Sequence, residues 1–146
     1  MPANLNDNAV KVIIDNKLGY ERVAMACAAS YAKMVGFSDE RIEDLKTVVA
    51  EAAINAIQHG NKDRTDSKVA VSLDFMDGAL HITVADNGDG IKELPPNPDI
   101  DRIIEKLDPP IGFGTFLIRQ LADEVEFNEM TDGGHMVKMA IRLQAQ

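Results

Sequence analysis

The order of apolar and polar positions divides the chain into short segments of two distinct periods. Val10, Val12 and Ile14 alternate with other residues, the pattern of a half-buried strand. Leu18, Val23, Cys27, Tyr31 and Met34 then recur at roughly helical spacing until Gly36, where the run stops. Ser38 is placed as an N-cap, with Asp39 and Glu40 in a first turn where the helix dipole favours acids. The helix it opens carries the apolar stripe Ile42, Leu45, Val48, Val49, Ala52, Ala53, Ala56 and Ile57, and Gly60 stands where a C-terminal cap is expected. Val69, Val71, Leu73 and Phe75 alternate, Asp77-Gly78 supplies a two-residue turn, and Leu80, Ile82 and Val84 alternate again. That pattern predicts a β-hairpin.

The second hairpin strand runs into Asp86-Asn87-Gly88-Asp89-Gly90, which cannot continue a strand and is read as a loop. Residues 92–111 are rich in Pro and charge, and Ile100, Ile103, Ile104 and Leu107 suggest a short helix inside a lid. Gly112-Phe113-Gly114 precedes a helix containing Phe116, Leu117, Ile118 and Leu121. A last hairpin uses Val125 and Phe127, turns at Asp132-Gly133-Gly134 and returns through Val137, Met139, Ile141 and Leu143. Helices that bury one stripe and strands that bury one face predict a two-layer α/β sandwich, a mixed sheet with helices on one face. Residues 1–146 are read as one domain.

Composition narrows the function classes. A formal charge of -9 argues against non-specific nucleic-acid binding, which relies on clustered Lys and Arg. It also requires that any bound polyanion be held locally, by backbone amides, a helix N-terminus or a divalent cation. Cys27 is the single cysteine, so no internal disulfide is expected and a reducing cytosol fits. No apolar run approaches the ~20 residues that span a bilayer, and the N-terminus lacks a basic patch followed by an apolar stretch. A cytoplasmic location is therefore expected. His59, His81 and His135 are scattered, and no spacing suggests a structural metal.

Three segments carry candidate chemistry. Glu51 and Asn55 are four apart on one helical face, amid Ala50, Ala52, Ala53 and Ala56, whose small side chains leave room for a ligand. A carboxylate beside an amide oxygen is a sensible donor set for Mg²⁺. Thr47, Gln58 and His59 extend that polar side, and a polar stripe of this kind is on its own usually just a solvated helix edge. Asp86 ends a strand where its carboxylate can accept from an exocyclic amine, and Gly88 and Gly90 would let a flat ring approach the backbone, although Asp and Gly also make ordinary turns. Gly112 and Gly114 precede a helix whose free amides attract phosphate.

The three segments in this order resemble the ATPase family shared by gyrase, histidine kinases and a heat-shock chaperone. Residues 45–60, Leu-Lys-Thr-Val-Val-Ala-Glu-Ala-Ala-Ile-Asn-Ala-Ile-Gln-His-Gly, look like its N box in the form seen in bacterial anti-sigma-factor serine kinases. Asp86 to Ile91 resembles the G1 box and Gly112 to Ile118 the G2 box. The resemblance implies an ATP/ADP and Mg²⁺ site with Glu51 as general base, Asn55 on Mg²⁺ and Asp86 on the adenine amine. His59, Gly88, Gly90, Gly112, Gly114 and Thr115 complete the implied nucleotide set. It further implies phosphorylation of a serine on a small antagonist protein, coupled to sequestration of a sigma factor, with Arg22 at the partner surface. A homodimer is compatible with it. Some members carry an Arg before the G2 glycines, where this chain has Asp108-Pro109-Pro110-Ile111. A nucleotide-dependent binding module with little transfer, or a detached histidine-kinase catalytic domain, thus stand as alternatives.

Overall fold

The computed structural model describes residues 9–62, 64, 66–86, 113–130 and 134–143. Strand β1 (Val10–Asp15) leads to helices α1 (Glu21–Met34) and α2 (Asp39–Asn55), and α2 continues into a π-helical turn over Ala56–Gly60. The hairpin β2 (Lys68–Met76) and β3 (Ala79–Ala85), helix α3 (Phe113–Leu121) and the pair β4 (Glu124–Glu129) and β5 (His135–Arg142) follow. The short helix and lid expected within 92–111 lie outside the described residues, as do Asp132 and Gly133 of the last turn.

Helix and turn boundaries follow local chemistry. The Ser38 hydroxyl accepts from the Arg41 N–H at 3.2 Å, as an N-cap should. Gly36, at φ 102°, closes α1: the Phe37 N–H reaches the Ala32 carbonyl (3.0 Å) and the Gly36 N–H that of Lys33 (3.2 Å), a Schellman ending. Helix α1 begins at Glu21, three residues after Leu18, because the intervening chain turns and the Glu21 carboxylate accepts the Gly19 N–H at 2.7 Å. Asp77 and Gly78 both take positive φ (55° and 78°), the geometry a two-residue hairpin turn demands.

The five strands are ordered β1-β2-β3-β5-β4. The expected two-layer sandwich is the observed one, but all four described pairings are antiparallel rather than mixed. The physical reason lies in the last hairpin. The connection through α3 leaves β4 running the same way as β3, yet β5 turns back and inserts between them, so no parallel pair forms.

One face of the sheet meets the helices. Val69, Val71 and Leu73 of β2, Leu80, Ile82 and Val84 of β3 and Met139 and Ile141 of β5 are buried against Leu45, Val48, Val49 and Ala52 of α2 and Ile118 of α3. Fully burying each of these Val, Leu, Ile and Met side chains contributes about 1.5–3 kcal/mol, so this face dominates the stability. Arg41, its side chain only 13% exposed, fastens the start of α2 to the sheet through Asp123 (2.9 Å) and the Arg142 carbonyl (3.0 Å).

Candidate functional site

The end of α2 is set by a buried polar network. The Asn61 N–H donates to the Ala56 carbonyl at 2.8 Å, a five-residue step that widens the last turn into a π-turn. The Asn61 side-chain amide donates to Asn16 Oδ1 and to the Lys68 carbonyl, both at 3.0 Å, and the Asn16 amide donates to the Arg64 carbonyl at 2.8 Å. Both amides are buried, so these bonds satisfy groups that would otherwise be costly to leave unpaired. Gly60 therefore does not end the helix in the left-handed conformation expected of a cap; among the described glycines only Gly19, Gly36 and Gly78 have positive φ.

What Gly60 does is admit Asp86. A Cβ built on Gly60 would lie 2.1 Å from Asp86 Oδ2 and 2.9 Å from Asp86 Cβ. Asp86 stands just beyond β3 and is 7% exposed. Its N–H donates to the His135 carbonyl at 2.9 Å, and the His135 N–H donates to Asp86 Oδ1 at 3.3 Å. The carboxylate is thus clamped between the first residue of β5 and the last residue of the π-turn.

A cavity of about 330 Å³ opens at this point. Ala52, Ala56, Val84, Ile118 and Val137 give it an apolar lining, Asn55 and Asp86 supply polar groups, and Asn128, Glu129 and His135 extend its wall. An apolar slot with few placed polar groups is the usual form of a small-ligand site, and this volume falls at the lower end of their range. His135 Nδ1 is buried without a hydrogen-bond partner among the described residues.

Glu51 lies one turn before Asn55, outside this lining. Its carboxylate packs on Gly114 of α3, where an added Cβ would come within 2.5 Å of Oε2. Burial pushes its pKa above the ordinary carboxylate value. Thr115, next to Gly114 in sequence, is buried, at 3% exposure. The structure thus brings Asn55 and Asp86 to the cavity and Glu51, Gly114 and Thr115 to the adjoining α2–α3 contact. His59 is exposed and does not line the cavity, while Gly88, Gly90 and Gly112 lie outside the described residues. Arg22 is exposed on the first turn of α1 and forms no ion pair among the described residues; Glu21, its nearest acidic neighbour, is buried and bonded to Gly19 instead. Among the same residues no three His, Cys, Asp or Glu side chains gather around a metal-sized position, and no helix is long and apolar enough to cross a membrane.

The sequence reading missed the wall supplied by Phe127, Asn128, Glu129 and His135, and the role of Gly60. The wall depends on the register that sets Ala85 beside Met136, and that pairing is a long-range property. A glycine directly after His59 at the end of the N box was the available signal for the second.

The model of the histidine kinase-like ATPase domain matches residues 14–141. The chain belongs to that family. It is 30% identical over 146 residues to a serine-protein kinase RsbW of Oceanobacillus iheyensis, covering 92% of this chain and 87% of that protein. An RsbW of Bacillus thuringiensis is likewise 30% identical, over 142 residues, covering 94% and 86%. Among solved structures, the RsbU and RsbW domains of a Mycobacterium tuberculosis protein superpose with TM-score 0.66 at 18% identity; the match covers 92% of this chain and 32% of that longer one. The catalytic domain of the histidine kinase ThkA superposes with TM-score 0.52 at 13% identity, covering 94% and 99%. These last two likenesses concern the fold.

Proposed function

We propose that this chain is a cytoplasmic protein-serine kinase that binds ATP in the cavity beside Asp86, phosphorylates a serine of a small antagonist protein, and alternates between that antagonist and a sigma factor. The observation that carries the nucleotide part is the buried carboxylate of Asp86, fixed at the end of an apolar slot. It accepts a hydrogen bond from an exocyclic amine, while Ala52, Ala56 and Val84 take the flat ring. Asn55, one turn from Glu51, presents an amide oxygen toward the phosphates, where Mg²⁺ would neutralise developing charge. Glu51 is the general base. Its raised pKa makes the ionised form a stronger base, suited to accept the serine hydroxyl proton as Oγ attacks the γ-phosphorus and ADP departs. Incubating the chain with ATP, Mg²⁺ and the antagonist, and mapping phosphoserine by mass spectrometry, tests this. Nucleotide binding without transfer would leave the binding-module reading.

The partner surface is proposed at the start of α1. Leu18 (50% exposed), Tyr20 (39%) and Val23 (53%) are exposed apolar residues close in sequence to Arg22, which forms no ion pair among the described residues, and the chain as a whole carries a net charge of -9. Arg is enriched among the residues that dominate interface energies. Arg22→Glu is expected to leave ATP affinity and melting temperature unchanged while weakening partner binding by about 2 kcal/mol or more. Equal partner affinity for wild type and variant, measured with ATP present, removes Arg22 from the interface.

A further inference from the structure

The glycine at the end of the π-turn has a consequence for ligand selection. An added Cβ there overlaps three Asp86 atoms: Oδ2 at 2.1 Å, Cγ at 2.3 Å and Cβ at 2.9 Å. Rotating the Asp86 side chain can move the first two but not the third, since the position of Cβ follows the backbone. The Asp86 backbone in turn is tied to β5 through the His135 carbonyl, and the turn that carries Gly60 is tied down by the buried Asn16–Asn61 pair. Neither side can yield cheaply.

We propose that Gly60 is the positioning residue for the base-reading carboxylate: its missing side chain sets the depth at which Asp86 stands in the cavity, and so sets both affinity for an amine-bearing purine and discrimination against a carbonyl-bearing one. The proposal rests on the nucleotide reading above for its ligand, and on the Gly60–Asp86 contact for its geometry. A carboxylate only accepts hydrogen bonds. A 6-amino purine offers a donor to it, whereas a 6-oxo purine presents an acceptor that it repels. Discrimination of this kind is lost when the carboxylate is displaced, whichever residue displaces it. The π-turn then has a function of its own, because the five-residue step held by Asn61 delivers Gly60 to the strand end.

The test is a double-mutant cycle on the full chain with Gly60→Ala and Asp86→Ala, read by titration calorimetry with ATP and GTP and by thermal melting without nucleotide. In the wild-type background Gly60→Ala is expected to weaken ATP binding about tenfold or more and to reduce the preference for ATP over GTP. In the Asp86→Ala background the same change is expected to cost less than about threefold, because the carboxylate it would displace is already gone and only the Cβ overlap remains. Melting should report the same coupling, with Asp86→Ala recovering part of the stability that Gly60→Ala loses, since two of the three overlapping atoms are removed. If Gly60→Ala alone does not fold and the double variant does, that too is the expected coupling. Equal losses in both backgrounds, or an unchanged ATP-to-GTP preference in a folded Gly60→Ala variant, would overturn the proposal. Failure of the wild type to bind any adenine nucleotide, with the melting cycle still coupled, would instead sink the nucleotide reading and reduce Gly60 to a packing role.

Discussion

Two carboxylates in this molecule are each seated against a glycine of another element, and the seats differ. Asp86 faces Gly60 at the deep end of the cavity, 7% exposed and held on its other side by the His135 backbone. Glu51 faces Gly114 across the α2–α3 contact, half-buried and with no hydrogen bond among the described residues. At the first seat the closest fixed neighbour is a Cβ; at the second, the 2.5 Å approach involves only the far end of a flexible side chain. The first is built to keep a group still. The second leaves a carboxylate incompletely solvated, with its pKa raised by burial, which suits the proton-accepting role proposed for Glu51. Under the roles proposed above, recognition and proton transfer call for opposite treatments of the same functional group, and α2 with its π-turn contributes to both, with Glu51 four residues before Asn55 and Gly60 five residues after it.

The comparison breaks most visibly under Glu51→Gln. Removing a positioned general base is expected to slow phosphoryl transfer by about 10²–10⁴-fold, roughly 3–5 kcal/mol of barrier, with ATP affinity nearly unchanged. Transfer rates under saturating ATP and antagonist check this, and equal rates would return Glu51 to the status of a polar helix residue. Asp86→Asn should do the converse at smaller scale. Half of the carboxylate becomes a donor facing a donor, so nucleotide affinity is expected to fall by ~1.5–3 kcal/mol, roughly ten- to hundredfold, and transfer at saturation to change little. Calorimetry decides it; a folded Asp86→Asn variant with undiminished affinity would place the ligand elsewhere.

Much of this contrast was legible along the chain, and its limits have a physical cause. The alternation at 69–75 and 80–84 and the Asp77-Gly78 turn specify the hairpin locally, and Ser38 specifies the start of α2, because each signal acts within a few residues. Glu51, Asn55 and Asp86 could be chosen as chemically apt from residue type and spacing. What could not be read is which strand lies beside which. The insertion of β5 between β3 and β4 makes the sheet antiparallel throughout its described pairings and brings His135 to Asp86, and it depends on contacts about fifty residues apart in sequence. Gly60 is the instructive case. Its place invited a capping role, which is the local explanation for a glycine after a helix, whereas the actual reason is a neighbour contributed by another element. His59 shows the reverse. Its motif position suggested a ligand contact, and the π-turn leaves it exposed to solvent.

The smallest effect separates the two seats without any nucleotide. Because burial raises the folded-state pKa of Glu51 above its unfolded value, the protonated form is the one that folding favours. The associated stability is fully present below the unfolded pKa, near pH 4.3 or about that of an ordinary glutamate, and is lost as pH rises through the folded value. Glu51→Gln carries no charge at any pH and is nearly isosteric, so it cannot lose that contribution. Other carboxylates titrate in the same range, but they do so in both proteins and cancel in the difference. The variant is therefore expected to match wild type at about pH 4 and to become the more stable of the two by about pH 7, by a modest amount because Glu51 is only half-buried and solvent screens part of the penalty. Urea denaturation of both proteins at the two pH values measures it. A gap that stays constant, or one that closes as pH rises, would mean that the Glu51 carboxylate is as well accommodated against Gly114 as it is in water, and the poised half of the comparison would fall.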